Sequence, residues 1–429
     1  MKFVLQKLLA FFARKVISKY RPIVVGVTGS VGKTSTKEAI FAVLKKRYRV
    51  GKSEKSLNTE IGLPLAVLGA KNHYRSISGW LGELAGIAKK MIFGFDCPDV
   101  LVFEMGVQKP GDMEYLLSIV RPRVAVVTQI GDVPVHVEYF KDPEELIQEK
   151  AKLVAGLPDD GRAVLCYDDV AVYGMREQTN VPVMTFGTDP HASVRITDCE
   201  FRILKDAARG DVPDGISFKA EHQGSIVPVR LHSVFGMPHA YAAGAAIAVG
   251  LSVGMNLVEI SEALGEYVGP PGRLRLLSGN KRSFILDDTY NAAPESMRAA
   301  LETLRALPGK RKIAVLGDMS ELGRYTEHAH RAIGDLAAGF VDVLVCVGAR
   351  AKFIADEAIQ RGMLRERVLT FDDSVSAGRA LDPLIREGDL ILIKGSQVMR
   401  MEKAVREIMA HPESAQILLV RQDEYWRVR

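Results

Sequence analysis

Short apolar runs rich in β-branched residues alternate with longer stretches of helical periodicity along most of the chain. Between residues 23 and 131 the apolar runs IVVGVTG, VLVFEMG and VAVVTQIG are separated by helical stretches such as KTSTKEAIFAVLKKR. A repeated strand, helix and strand pattern is typical of a parallel sheet covered by helices. The pattern therefore predicts an α/β fold for this part of the chain.

The periodicity changes twice further along the chain. From His191 to Leu231, apolar and polar residues alternate in VRITDCEFRIL, ISFKAEH and IVPVRLH, which predicts a small antiparallel subdomain. GPPGR at 269–273 is the best candidate for a linker, because adjacent prolines and glycines stop both helix and strand. Five further runs then predict a smaller Rossmann-like domain: FILDDTYN, KIAVLGDM, DVLVCVG, RVLTF and LILIKGS. The expected boundaries are 1–22 for an N-terminal helix, 23–271 for a central domain and 272–429 for a C-terminal domain.

Two stretches combine apolar and basic residues at helical spacing. Residues 1–22 form an amphipathic basic pattern with no small-residue cleavage site, so a signal peptide is not indicated. This helix has two open interpretations, docking on the protein's own surface or contact with a membrane surface. Between Asn72 and Phe95, the stretch SISGWLGELAGIAKKMIFGF is either a buried helix or a partner of the first helix in a membrane-facing patch. The chain contains no run of about 18 uncharged apolar residues, so no transmembrane helix is predicted.

Composition and charge narrow the classes of function. The chain has 429 residues with 57 Lys and Arg against 52 Asp and Glu, a net charge of +5. This excess is too small to indicate nucleic-acid binding, and a small anionic ligand would account for it. The four cysteines form no CxxC pair, which argues against zinc ribbons and favours reduced thiols in the cytoplasm.

The sequence TGSVGKTST follows the first predicted strand and enters a helix. Glycines let backbone amides approach phosphate oxygens, the lysine reaches the outer phosphates, and the threonine hydroxyl can bind Mg²⁺. The strict pattern GxxxxGK[ST] is not met, because Val27 stands where its first glycine is expected. The segment nevertheless predicts a nucleotide phosphate loop, whose candidate residues are Thr28, Gly29, Ser30, Gly32, Lys33, Thr34 and Ser35.

Several motifs in one order carry a family resemblance. They are TGSVGKTSTKEAI, NTEIGLPLAVL, FEMGVQKPGDMEYL, GRLRLL, DDTYNAAPESMRAAL, VLGDMSELG and IKGSQVMRME. Together they cover roughly residues 23–410 and resemble the Mur ligase family in its MurF branch. The resemblance implies a cytoplasmic ATP-dependent ligase of peptidoglycan synthesis that joins D-alanyl-D-alanine to a UDP-N-acetylmuramoyl-tripeptide. ATP would activate the acceptor's carboxylate as an acyl phosphate, which the incoming amine attacks.

The same resemblance assigns residues to two Mg²⁺ sites in the central domain. It implies that Thr34, Glu104 in VLVFE and His136 in HVEYF are metal ligands. Lys150 in EKAKLVAGLP aligns with a lysine that relatives carry as a carbamate derived from CO₂, which turns a cation into a metal-bridging carboxylate. Lys152 is the nearby alternative, and the spacing to GLP favours Lys150.

In the C-terminal domain the resemblance implies contacts to both ATP and the amine. Arg273 resembles an arginine that reaches the γ-phosphate when the domains close, and Asp288 a carboxylate that binds the ribose. Tyr290 and Asn291 are candidates for positioning the amine substrate or the nucleotide. Two further residues in IKGSQ, Lys394 and Ser396, could hold a substrate carboxylate, with a helix-capping serine as the open alternative.

Three departures from the family pattern are visible. The phosphate loop begins at Thr28, so we expect the family's preceding UDP-sugar-binding domain to be missing, and either a partner protein to supply it or the acceptor to be recognised without its nucleotide. The family's HNxxNALAA segment appears as PHAYAAGAA from Pro238, so His239 is not assigned to the base. IGDVPVH carries two more residues before His136 than the usual IGPAH.

Three functions compete at this point. The first is the MurF-type ligase. The second is a ligase of the same fold for another acceptor, such as folate polyglutamate, a capsule-type substrate or a lipid-linked precursor, and DDTYNAAP and GDMSELG favour the first over this one. The third is an inactive nucleotide-binding scaffold, against which the joint retention of Lys33, Thr34, Glu104, His136 and Lys150 argues.

Overall fold

A large mixed sheet organises the first part of the chain. The computed structural model describes residues 2–53, 60–73, 76–206, 210–423 and 426; Asn58 and Thr59 of the motif NTEIGLPLAVL lie outside them. The strands of this sheet are β1 (Ile23–Thr28), β2 (Val50–Lys52), β3 (Val100–Glu104), β4 (Val124–Val127), β5 (Arg162–Cys166), β6 (Val183–Gly187), β7 (Val194–Asp206), β8 (Gly210–His222) and β9 (Ser225–His232).

Parallel pairing joins the strands up to β7, in the order β2-β3-β1-β4-β5-β6-β7, and β8 and β9 then continue the sheet antiparallel. The α/β expectation is confirmed, and the antiparallel strands fall within the range where alternation predicted them. They do not form a separate subdomain, because Phe186 of β6 pairs with Val194 of β7 and so fuses the hairpins to the parallel sheet. Strands β1, β3 and β4 are buried almost throughout, which is why they appear as continuous apolar runs.

Helices cover the faces of this sheet. They are α1 (Lys2–Tyr20), α2 (Lys33–Leu44), α3 (Gly62–Leu68), α4 (Ile77–Phe93), α5 (Asp112–Ile119), α6 (Pro143–Ala155), α7 (Val170–Gly174), α8 (Met237–Ser252) and α9 (Leu257–Leu264). The alanine-rich helix α8 is almost wholly buried between α2 and strands β5 to β7. Close packing of α2 on α8 holds the beginning of α2 at the carboxyl end of β1.

A second, six-stranded sheet follows the GPPGR segment. Its strands are β10 (Arg275–Ser278), β11 (Phe284–Asp288), β12 (Arg311–Gly317), β13 (Val343–Val347), β14 (Val368–Phe371) and β15 (Asp389–Lys394), in the order β10-β11-β15-β12-β13-β14. All pairs are parallel except β10 with β11. The five apolar runs predicted as a Rossmann-like unit are β11 to β15; β10 was not predicted. The helices on its two faces are α10 (Pro294–Ala306), α11 (Thr326–Ala338), α12 (Lys352–Gln360), α13 (Ser374–Leu381), α14 (Glu402–Ile408) and α15 (Ala415–Leu418).

Helices α1 and α4 differ in how far the protein buries them. Helix α1 packs on α3 and α5 and buries Leu9, Ala13 and Val16 completely. On α4, only Trp80 and Ile87 are buried among its 17 residues, so the interpretation of this stretch as a buried helix is wrong. No helix in the described part of the chain is both long and apolar enough to cross a bilayer.

Candidate functional site

The phosphate loop lies at the carboxyl end of β1, where ligands of open α/β sheets bind. It runs from Thr28 to the first residue of α2, Lys33. Gly32 has a φ of 85° and precedes α2 in the left-handed region, which glycine adopts without strain. Gly29 has a φ of 135°, and a Cβ there would lie 2.0 Å from Oγ1 of Thr128. Both glycines are therefore required by the path of the loop.

Lys33 lies over this loop. Its Nζ donates hydrogen bonds to the carbonyl oxygens of Gly29, at 2.9 Å, and Ser30, at 3.3 Å. Burial lowers the pKa of Lys33 to about 8, with the Glu104 carboxylate opposing the shift and Arg273 adding to it. The loop thus holds a desolvated cation at the start of a helix, a position whose partial positive charge already favours anions.

One cavity of about 780 Å³ joins the two lobes at this loop. It brings together most of the residues that the sequence proposed: Gly29, Ser30, Lys33, Thr34, Glu104, His136, Lys150, Arg273, Tyr290 and Asn291. Thr28, Gly32, Ser35 and Asp288 do not line it. The wall of the first lobe also contains Lys71, Asn72 and Lys109, none of which was proposed from the sequence. Lys71 and Lys109 widen the positive side of the cavity.

Lys150 projects from α6 into the cavity. It is 2% exposed, and its Nζ donates a hydrogen bond of 3.0 Å to the carbonyl oxygen of Gly29. Burial and the neighbouring charge of Lys33 hold the pKa of Lys150 well below its usual value. Lys152 instead pairs with Glu114 and Glu149, each at 2.8 Å, outside the cavity. Of the two lysines, only Lys150 is in position to react with a group in the cavity.

Glu104 and Thr34 fit a magnesium ion. Glu104 is 3% exposed, and its Oε1 has no hydrogen-bond donor within the described residues, although Nζ of Lys37 lies 3.6 Å away. A carboxylate and a hydroxyl beside a phosphate loop are the oxygen ligands that Mg²⁺ prefers. Lys37, which sequence reasoning missed, is buried and donates to the carbonyl oxygen of Ser53 at 2.7 Å. Its spacing of one helical turn from Lys33 was the available signal.

His136 does not join Glu104 in this structure. Its Nδ1 lies 2.6 Å from the carboxylate of Glu321, in the second lobe. Across the described ranges, no three His, Cys, Asp or Glu side chains gather closely enough to hold a metal ion. The assignment of His136 as a metal ligand therefore stays a prediction.

Arg273 links the two lobes. Its Nη2 donates a hydrogen bond of 3.4 Å to Oγ1 of Thr34, and its guanidinium carbon lies 4.1 Å from the centre of the Tyr290 ring. Stacking on an aromatic face fixes the orientation of a guanidinium and leaves its edge free to bind anions. Arg273 thus directs positive charge from the linker into the phosphate loop.

Two residues that the sequence did not assign hold this linker. His239 is buried, with Nε2 2.7 Å from the carbonyl oxygen of Arg273 and Nδ1 3.0 Å from the hydroxyl of Tyr267. Asp287 accepts hydrogen bonds from the amide of Gly272, at 3.1 Å, and from the hydroxyl of Thr289. Burial raises the pKa of Asp287 to about 6. These side chains fix the backbone on both sides of Arg273.

Asp288 and Lys394 contact each other instead of the cavity. Nζ of Lys394 lies 2.6 Å from Oδ2 of Asp288 and donates to the carbonyl oxygen of Asn291 at 2.9 Å. Oγ of Ser396 accepts a hydrogen bond of 2.7 Å from the amide of Ser320 and makes no helix-cap bond. Neither Lys394 nor Ser396 lines the cavity, so the structure gives no support to either of the two interpretations of IKGSQ. Ribose binding by Asp288 stays a prediction.

The C-terminal tail completes the wall, and no motif in the sequence indicates its role. Asp423 and Trp426 line the cavity. Arg421 donates to the carbonyl oxygens of Thr289, at 3.1 Å, and Tyr290, and pairs with Glu402 at 2.7 Å. The family resemblance ended near residue 410, before this segment.

The burial of His239 predicts a pH dependence of stability. Burial lowers the pKa of His239 from 6.5 to about 4 in the folded protein, so between these values the unfolded chain binds a proton that the folded chain does not. The free energy of unfolding therefore falls as the pH falls from 6.5 towards 4, by up to about 3 kcal/mol from this residue. We expect the free energy of unfolding, measured with urea, to fall between pH 7 and pH 5 by about 2 kcal/mol less in His239→Gln than in the unchanged protein.

Other acid-sensitive groups contribute equally to His239→Gln and to the unchanged protein, so their contributions cancel in the difference. Asp287, whose raised pKa acts in the opposite direction, is present in both. Equal pH dependence of the two unfolding free energies would contradict the prediction.

The fold and the cavity together define a two-lobed nucleotide enzyme, in which the cations of the first lobe meet Arg273 across one cavity. The Mur ligase middle domain matches residues 27–249, and the Mur ligase glutamate ligase domain matches residues 272–397. The chain belongs to the Mur ligase family and is, like its members, an ATP-dependent ligase.

Named relatives agree with this assignment. The chain is 28% identical to a UDP-N-acetylmuramoyl-tripeptide--D-alanyl-D-alanine ligase of Bacillus subtilis, over 91% of this chain and 77% of that one. It is 30% identical to the ligase of the same name from Mycobacterium leprae, over 87% of this chain and 71% of that one. The crystal structure of MurF ligase from Thermotoga maritima in complex with ADP superposes with a TM-score of 0.75 and 26% identity, covering 94% of this chain and 83% of that one.

Proposed function

We propose that this ligase adds D-alanyl-D-alanine to the carboxylate of a muramoyl-peptide in peptidoglycan precursor synthesis. The observation that carries the proposal is the cavity itself, in which Lys33, Lys150 and Arg273 surround the phosphate loop at the junction of the lobes. The names of the relatives supply the substrates.

The reaction requires two bond exchanges. An oxygen of the acceptor's carboxylate attacks the γ-phosphorus of ATP and ADP leaves, which gives an acyl phosphate. The amine of the donor then attacks the acyl carbon, and phosphate leaves with that oxygen while the ammonium's proton passes to solvent. Lys33 and Arg273 neutralise charge on the transferred group, which is the main contribution a protein makes to phosphoryl transfer. Closure of the two lobes over the cavity would keep water from the acyl phosphate.

Magnesium and a carbamate belong to this proposal. Thr34 and Glu104 would hold Mg²⁺, which supplies charge neutralisation to the β- and γ-phosphates. The low pKa of Lys150 increases the share of neutral amine, the form that reacts with CO₂. A carbamate on Lys150 would carry a negative charge beside Lys33, which attracts it, whereas Lys33 repels the protonated form of Lys150.

Three expectations about context stay predictions. They are supply of a UDP-sugar domain by a partner protein, cytoplasmic localisation, and peripheral contact with the inner face of the membrane. The ligase chemistry of the cavity is the same whether or not they hold.

The test of the function is phosphate release from ATP in bicarbonate buffer, with mass analysis of the product. We expect release to require both D-alanyl-D-alanine and UDP-N-acetylmuramoyl-tripeptide, and the product to have their summed mass less one water. If phosphate release requires D-alanyl-D-alanine together with a different carboxylate acceptor, the proposed acceptor is wrong and that acceptor takes its place. Release that needs neither substrate would contradict a ligase.

A lysine pair on α6 tests the carbamate. We expect Lys150→Ala to lower kcat about 100-fold, because a group that orders the metal site is lost. Lys152→Ala, on the same helix but outside the cavity, should change kcat less than about twofold. Removing CO₂ from the buffer should lower the activity of the unchanged enzyme, and bicarbonate should restore it. Activity that is independent of CO₂ would rule out the carbamate.

A further inference from the structure

Part of the apolar surface of helix α4 is not covered by the rest of the protein. Trp80 and Ile87 are buried, whereas Ile77, Leu81 and Ile92 are 59%, 65% and 77% exposed. At about 100° per residue, these three exposed side chains lie within about 60° of one another around the helix axis. They therefore form one continuous apolar face beside the buried side.

Helix α1 carries a second exposed apolar face. Val4, Leu8 and Phe11 are 67%, 37% and 48% exposed and also fall within about 60° of one another around the axis. The C-terminal ends of α1 and α4 meet, because the hydroxyl of Tyr20 accepts a hydrogen bond of 3.1 Å from the amide of Phe95. We call the exposed apolar residues Val4, Leu8, Phe11, Ile77, Leu81 and Ile92 together the α1/α4 surface.

Basic residues outnumber acidic ones on the two helices. Helix α1 contains no Asp or Glu, and its basic residues are Lys2, Lys7, Arg14, Lys15 and Lys19. On α4, Lys89 is exposed beside the apolar face, whereas Lys90 is exposed on the far side of the helix. The acidic residue of α4, Glu83, lies 2.8 Å from His73 and is mostly covered. The whole chain has nearly balanced charge, so this local excess is a property of the two helices.

Apolar side chains flanked by cations match an anionic bilayer, whose acyl chains accept the former and whose headgroups attract the latter. A second copy of the chain fits less well, since two such basic surfaces would repel each other. We propose that the α1/α4 surface docks on anionic phospholipid. Lys71 and Asn72, which line the cavity, shortly precede α4, so docking would place the rim of the cavity near the headgroups. The docking does not depend on the proposed reaction.

Co-sedimentation of the full chain with vesicles tests the proposal. We expect the protein to bind vesicles of 70% phosphatidylcholine and 30% phosphatidylglycerol at least about tenfold more tightly than vesicles of phosphatidylcholine alone. The double variant Leu81→Glu with Ile92→Glu should lose at least about tenfold of this binding, because two charges would enter the interface. The matched control, Val170→Glu with Ile417→Glu, adds the same charge at sites that are 88% and 80% exposed elsewhere; it should bind as the unchanged protein does.

A charge variant and an assembly measurement complete the test. Lys89→Glu should also weaken binding to the anionic vesicles, and thermal unfolding should show that all variants remain folded. Absence of binding to anionic vesicles, or equal loss in the surface and control variants, would overturn the proposal. It would also be overturned by light scattering that shows a dimer which Leu81→Glu with Ile92→Glu dissociates, because the surface would then be covered by a second copy.

Discussion

Replacing Lys33 by alanine is expected to lower kcat/KM for ATP by at least about 10³-fold, measured as substrate-dependent phosphate release. Nζ of Lys33 lies over the carbonyl oxygens of the phosphate loop, at the start of α2. Alanine carries no charge, so Lys33→Ala removes the positive charge that Lys33 supplies to the transferred phosphoryl group. The protein should remain folded, because the substitution removes a buried cation whose pKa burial has already lowered.

Lys45→Ala is the matched control for this prediction. Lys45 follows the last residue of the same helix and pairs with Glu266 at the protein surface. Its kinetics should match those of the unchanged enzyme within about twofold. Retention of more than about a tenth of the activity by Lys33→Ala would mean that the loop does not act on the phosphates of ATP.

The second large effect is expected at Arg273. We expect Arg273→Ala to lower kcat about 10³-fold with a smaller change in KM for ATP, because an arginine that reaches the transferred group acts mainly in the transition state. Arg273→Lys should recover little of this loss. A lysine keeps the charge but lacks the planar group that stacks 4.1 Å from the Tyr290 ring and reaches Thr34.

Arg298→Ala separates this effect from a general loss of charge in the second lobe. Arg298 lies exposed on α10, outside the cavity wall. Its removal should leave kcat unchanged. A rise in KM alone for Arg273→Ala, with kcat retained, would contradict a role in the transition state and leave only ground-state binding.

The parallel strands and the phosphate loop could be predicted because their signals are local. The apolar runs at β1 and β11 are buried on both faces. The glycines at positions 29 and 32 have positive φ angles, which glycine adopts without strain. Lys150 could be preferred to Lys152 from a family motif, and in the structure Lys150 lines the cavity whereas Lys152 does not; its role stays a prediction.

The remaining features depend on contacts between residues distant in sequence. Asp287 and Asp288 are adjacent, yet the first holds the linker and the second pairs with Lys394, 106 positions later. His239 acts on the carbonyl oxygen of Arg273, a contact that no local pattern encodes. The exposure of α4 could not be predicted from the sequence either. The periodicity of its apolar residues is the same whether the protein or another apolar phase covers them. The position of His136 opposite Glu321 depends on how the two lobes meet.

Transfer of an oxygen isotope tests the central claim, ATP-dependent activation of a carboxylate, most directly. The acceptor UDP-N-acetylmuramoyl-tripeptide would carry ¹⁸O in both oxygens of its reacting carboxylate, and ligation to D-alanyl-D-alanine would be followed by mass analysis of the released phosphate. An acyl phosphate requires one ¹⁸O atom in each phosphate and one retained in the new amide. Amide formation with unlabelled phosphate, or with the label in AMP, would contradict the account.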